Sequence, residues 1–104
     1  MVAGNWFIST DNSVHLTNLQ DETGAFINNA TVTGVLKDGK LNVIVGAESI
    51  SFTYKAASTG CYDGTLAAND LLKEGTQYDL YVVCTAGGKK FTGRARLKAA
   101  YYAL

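Results

Sequence analysis

Between Gln77 and Cys84 the side chains divide into two interleaved sets, Tyr78, Leu80, Val82 and Cys84 in one and Asp79, Tyr81 and Val83 in the other. A period of two residues is the pattern of a strand with one face on a core. Alternation or short β-branched and aromatic runs predict further strands near Trp6 to Ser9, Val14 to Leu19, Ala30 to Lys37, Lys40 to Val45, Ser49 to Lys55, Cys61 to Leu66 and Lys90 to Ala99. Turn residues separate them: "TDNS", "DETG", "KDGK", "STG", "AAND", "KEGT" and "AGGK". The paired glycines of "AGGK" supply the positive φ values of a tight hairpin, joining Gln77–Thr85 to Lys90–Ala99 as antiparallel neighbours. No window sustains the helical period; "AANDLLKEG" has room for one turn capped by Asn69 or Asp70. Seven or eight short strands at this spacing predict a sandwich or barrel.

Strand phase then predicts the core: Val14, Leu16, Val32, Val43, Val45, Ile50, Phe52, Tyr54, Tyr62, Leu72, Tyr78, Leu80, Val82, Cys84 and Phe91. A chain of 104 residues without a repeat or a low-complexity linker reads as one domain over residues 1–104, large enough for a single core. Proline is absent, so glycine, asparagine and aspartate must make the turns.

Nine cationic residues offset nine acidic ones, leaving no net field to recruit nucleic acid or an anionic membrane. Five cations nevertheless crowd the last sixteen residues. On a strand, Arg94, Arg96 and Lys98 share a face, either a solvated edge-strand face or a contact for an acidic partner or nucleic acid. The leading residues show no basic segment followed by an apolar one, and no run of apolar residues is long enough to span a membrane. The expectation is a protein made in the cytoplasm with no membrane association, no nucleic-acid partner and no cofactor.

Candidate chemistry is sparse. His15 is the only histidine and lies on a predicted strand, facing solvent or a neighbouring chain. Cys61 and Cys84 lack the paired spacing of a zinc site and read as structural thiols or an inter-strand disulfide. Asp21, Glu22 and Asp70 sit in turn signals without calcium-loop spacing. With no convergent acid, base and nucleophile, a non-enzymatic protein is expected. Trp6, Phe7, Tyr101 and Tyr102 place aromatic residues at both ends of the chain, as docked strands or as interface anchors.

The stretch from Leu72 through Gly75 and Tyr78 to Leu80 and Val82 resembles the L-x-x-G-x-x-Y-x-L-x-V corner of immunoglobulin-like and fibronectin-III-like domains. "D-x-x-G-x-x-I-x-x-A-x-V" at Asp21–Val32 and "G-x-Y-x-G-x-L" at Gly60–Leu66 are similar to segments of bacterial and phage Ig-like modules. The resemblance implies an immunoglobulin-like β-sandwich of seven to eight antiparallel strands. In it Leu72, Gly75 and Tyr78 form a tyrosine corner, the tyrosine hydroxyl bonding backbone in the preceding loop. The antibody-type disulfide is not implied, because six residues separate Tyr78 from Cys84 and no cysteine lies on the early strands. With "GNWFISTDN" at the start, the chain resembles small Ig-like proteins encoded among phage virion genes. That implies a virion component acting through contacts with other virion proteins or with its own copies; a carbohydrate or cell-surface binding module is the alternative.

Overall fold

A computed structural model describes residues 5–101 as an all-β protein. Its strands are β1 (Asn5–Phe7), β2 (Asn12–Leu16), β3 (Thr31–Asp38), β4 (Ile50–Tyr54), β5 (Tyr62–Leu66), β6 (Gln77–Ala86) and β7 (Lys89–Ala100). They form one mixed sheet in the order β1-β7-β6-β3-β4-β5-β2, curled until its two ends nearly meet like a barrel. Every pairing is antiparallel except β1 with β7, which is parallel and corrects the expectation of antiparallel strands throughout. Asn12 closes the seam: its side chain accepts from Phe7 N at 2.9 Å and donates to Phe7 O at 3.1 Å and Thr10 O at 3.0 Å. This primary amide, at the start of β2, stands in for a missing strand pairing, which lets it be buried with its polar atoms satisfied.

The long central strands carry the fold. β6 pairs with β3 from Thr31↔Thr85 to Asp38↔Tyr78 and with β7 from Gln77↔Lys98 to Ala86↔Lys89. The hairpin turns on Gly87 and Gly88, both at positive φ, as the doubled glycine predicts. Inward residues of β6, Tyr78, Leu80 and Cys84, are buried. They meet Val32 and Leu36 of β3, Ile50 and Phe52 of β4, and Tyr62 and Leu66 of β5. Phe52 needs space on both neighbouring strands. A Cβ on Gly64 would stand 3.0 Å from its ring, and one on Gly34 3.2 Å from it and 3.1 Å from Leu80.

Two further expectations need correction. Lys40–Val45 is not a strand; after Asp38 the chain makes a turn, and Val43 keeps one isolated bridge to Lys37. The Asp38 carboxylate accepts from Lys40 N at 2.8 Å and Asn42 N at 3.0 Å, which bends the backbone before it can extend. The phase there is also reversed. Ile44 and Ala47 pack toward the core and bond backbone with Leu36 and with each other, whereas Val43 and Val45 point out. Trp6 is the second correction: it has no exposed surface and belongs to the core, so it is not an interface anchor. Its indole N–H donates to Tyr78 O at 3.0 Å, tying the shortest strand to the start of β6.

Candidate functional site

The β1–β2, β3–β4 and β5–β6 connections gather at one end of the barrel, because β1 and β3 both run toward the start of β6. The last connection is held from inside. Leu72 is buried, Gly75 turns at φ +80 with its N–H on Ala99 O at 2.8 Å, and the Tyr78 hydroxyl accepts the Lys73 N–H at 2.8 Å. The ring thus seals the core while its oxygen satisfies loop backbone.

Asn69 is the hub of this end. Nearly buried, it accepts Ser9 N on its carbonyl at 3.2 Å, donates from Nδ2 to Val45 O at 2.8 Å and accepts Leu71 N on Oδ1 at 2.8 Å. One side chain thus fixes two loops and its backbone a third. Asp70 accepts the Ser9 hydroxyl at 2.5 Å, and Asp11 accepts Ala68 N at 2.8 Å. The cap predicted at Asn69 or Asp70 therefore exists as an Asn69 turn, not as a helix start.

What this layer presents is apolar. Val45 is 69% exposed, Leu41 62%, Leu71 57% and Val43 45%. Asn69 holds the backbones of Val45 and Leu71 through opposite ends of one amide. These large aliphatic side chains thus stand exposed on loops that hydrogen bonds hold together. The same connections, with the end of β3, carry Asp11, Asp38, Glu48, Asp70 and Glu74 against Lys40 and Lys73. The Asn42 amide holds the Asp38 carboxyl below the usual carboxylate range, so this acid stays charged.

The other predicted residues are dispersed. His15 Nδ1 meets Asp63 at 2.6 Å on an exposed outer face, across the β2–β5 pair, with both cysteines elsewhere. Cys61 donates to Thr59 O at 3.5 Å; Cys84 is buried, which pushes its thiol up, away from the thiolate a nucleophile needs. Both are free thiols. Glu22 and Lys89 form an ion pair that lowers the acid and raises the amine, and Asp21 accepts Thr23 and Ala25 within its own turn. Among the described residues no three His, Cys, Asp or Glu side chains converge as metal ligands. Phe7 is half-buried, Tyr101 is 62% exposed, and Tyr102 lies outside the described residues. A cavity of about 330 Å³ opens between β2 and β7 over Val14, Phe52, Leu80 and Val82, where the curled sheet does not close.

Sequence reasoning gave Asn69 only a capping role, and missed its bonds between loops and the exposed loop aliphatics. An asparagine in "AAND" carries only a turn signal, and Val43 and Val45 sit in a strand-like run; only the structure brings the loops together. No helix among the described residues is long and apolar enough to cross a membrane. No protein-family model, curated protein or solved structure matches the chain.

Proposed function

We propose that the chain is an immunoglobulin-like, non-enzymatic interaction module. In this reading it is a phage virion component, in head decoration, head–tail joining or the tail, and docks through the loop end around Asn69. The strand order supports the fold part of the reading. Split between β3 and β4, it gives β7-β6-β3 and β4-β5-β2, the C-F-G and B-E-D groupings of an immunoglobulin-like sandwich when β2 through β7 are taken as B to G. The pairing of Val32–Gly34 with Ile50–Phe52 stitches the two groups into one sheet.

The observation that carries the functional part is the exposure of Val45 and Leu71 on backbone fixed by Asn69. An apolar centre with a charged rim is how protein interfaces are built. The alternative carbohydrate module is weakened by the burial of Trp6, since the one indole is withdrawn from any stacking role. Mass spectrometry of purified particles from a producing culture tests the reading. Peptides of this chain should be present with wild type and depleted at least tenfold with Val45→Ser/Leu71→Ser at equal expression and fold stability. Glycan-array binding by a monomer absent from particles would replace it with the cell-surface reading.

A further inference from the structure

The outer face of β3-β6-β7 is built in cross-strand rows. Lys37, Asp79 and Arg96 form one; Val35, Tyr81 and Arg94 the next; then Thr33, Val83 and Thr92; then Thr31, Thr85 and Lys90. Val35, Tyr81 and Val83 are half-buried, giving the face an apolar stripe. Charge surrounds it with one sign. Lys37, Lys90, Arg94, Arg96 and Lys98 lie on this face with Asp79 as the only acid. Arg96 grips that acid at 2.8 and 3.2 Å with Arg94 close enough to lower its carboxyl further, and Lys37 stands 5.0 Å over the Tyr81 ring, leaving Lys90 and Lys98 without a carboxylate among the described residues.

The chain as a whole is neutral, so a cationic face requires an acidic surface elsewhere. The loop end supplies it: Asp11, Asp38, Glu48, Asp70 and Glu74 outnumber Lys40 and Lys73 in the connections that also carry the exposed Val45 and Leu71. Both surfaces have an apolar centre and a charged rim, and the rims are opposite in sign. We infer that the partner of the loop end is a second copy of this chain, seated end-on against the outer face of β3-β6-β7 over Tyr81. This rests on the interaction-module reading and names its partner. The two surfaces differ, so the contact is heterologous. Each copy offers a free end and a free face, and repetition gives a ring or a filament.

Sedimentation velocity tests it. Wild type at about 0.01 M salt, where charges act over about 30 Å, should associate with rising concentration and return to monomer at about 1 M, where they act over about 3 Å. Lys90→Glu/Arg94→Glu spoils only the face and Leu71→Lys/Glu74→Lys only the end. All four side chains are exposed and outside the hydrogen-bond network, so Leu71→Lys/Glu74→Lys should melt as wild type does; Arg94 also acts on Asp79, so Lys90→Glu/Arg94→Glu is compared at a temperature where circular dichroism shows it fully folded. Each alone should be monomeric, its self-affinity weakened at least tenfold. Mixed in equal amounts they should form a one-to-one dimer and stop, because one good end meets one good face. Wild type that stays monomeric, a variant that still self-associates, or a mixture that does not pair would overturn the inference. So would a monomer that binds an oligonucleotide through Arg94. Loss of Val45→Ser/Leu71→Ser protein from particles while wild type remains monomeric would leave the module reading standing and remove only the second copy as its partner.

Discussion

The Lys73 N–H donates to the Tyr78 hydroxyl at 2.8 Å, across the turn that Gly75 makes. The tyrosine is buried, so removing its oxygen leaves a loop amide in need of water at the edge of the core. Tyr78→Phe should cost about 1–3 kcal/mol. Tyr62 is a sharper case: its hydroxyl donates to Ile27 O at 2.7 Å and accepts Ala30 N at 3.1 Å. Tyr62→Phe loses two bonds and should cost more than Tyr78→Phe. Urea titrations with unchanged slope would read both; equal midpoints for Tyr78→Phe and wild type would remove the corner from the stability of this end.

Gly64 and Gly34 make room for Phe52, and the contact is testable by adding one carbon. Gly64→Ala puts a Cβ 3.0 Å from the Phe52 ring, closer than packed carbons sit, and should cost about 1–3 kcal/mol. Shortening the ring to leucine relieves the clash, so Gly64→Ala/Phe52→Leu should be less destabilised than the sum of the single changes. Gly39→Ala is the control, since its Cβ would meet nothing within 4 Å. A Gly64→Ala melt that matches the Gly39→Ala melt would contradict the packing.

Much of this architecture was readable in the residues where the signal is local. Gly87-Gly88 marks its hairpin, and the alternation from Tyr78 to Cys84 places three of its four residues deep in the core. Non-local pairing is where reading fails. β1 has three residues, and its parallel partner lies at the far end of the chain; nothing near Trp6 announces that it will be covered. Val43 and Val45 have strand-like chemistry, but the Asp38 carboxylate captures the backbone that follows it. The candidate site was the least legible, because Asn69 gains its meaning only from loops that are distant in sequence.

Asp79 gives the fold an acid-sensitive element. It is nearly buried, and the Arg96 guanidinium that bonds it holds its carboxyl below the ordinary value of 3.8. A folded-state pKa below the unfolded one means that the stability it contributes is complete above about pH 3.8 and falls as pH drops through the folded value. Asp79→Asn should therefore be less stable than wild type at neutral pH, and the difference should shrink on acidification. Asp21, Glu22 and Asp38 are lowered in the same direction but are exposed, so their contribution remains in both proteins and cancels in the comparison. Denaturant midpoints measured from neutral pH downward would show it; a difference independent of pH would assign Asp79 a packing role alone.

Trp6 and Tyr101 separate two fates for the aromatic residues near the chain ends. Trp6 is wholly enclosed and bonded to Tyr78 O, whereas Tyr101 is 62% exposed. Trp6→Phe removes both volume and the indole donor and should cost about 1–3 kcal/mol, while Tyr101→Ala should stay within about 0.5 kcal/mol of wild type. The chain has one tryptophan, so its fluorescence reports this residue alone. Native emission should be blue-shifted and resistant to iodide, turning red and quenchable only on unfolding. Iodide quenching of the native protein at the rate of free indole would put Trp6 back on the surface, and the short parallel strand that carries it would then have to be dissociated from β7 in solution.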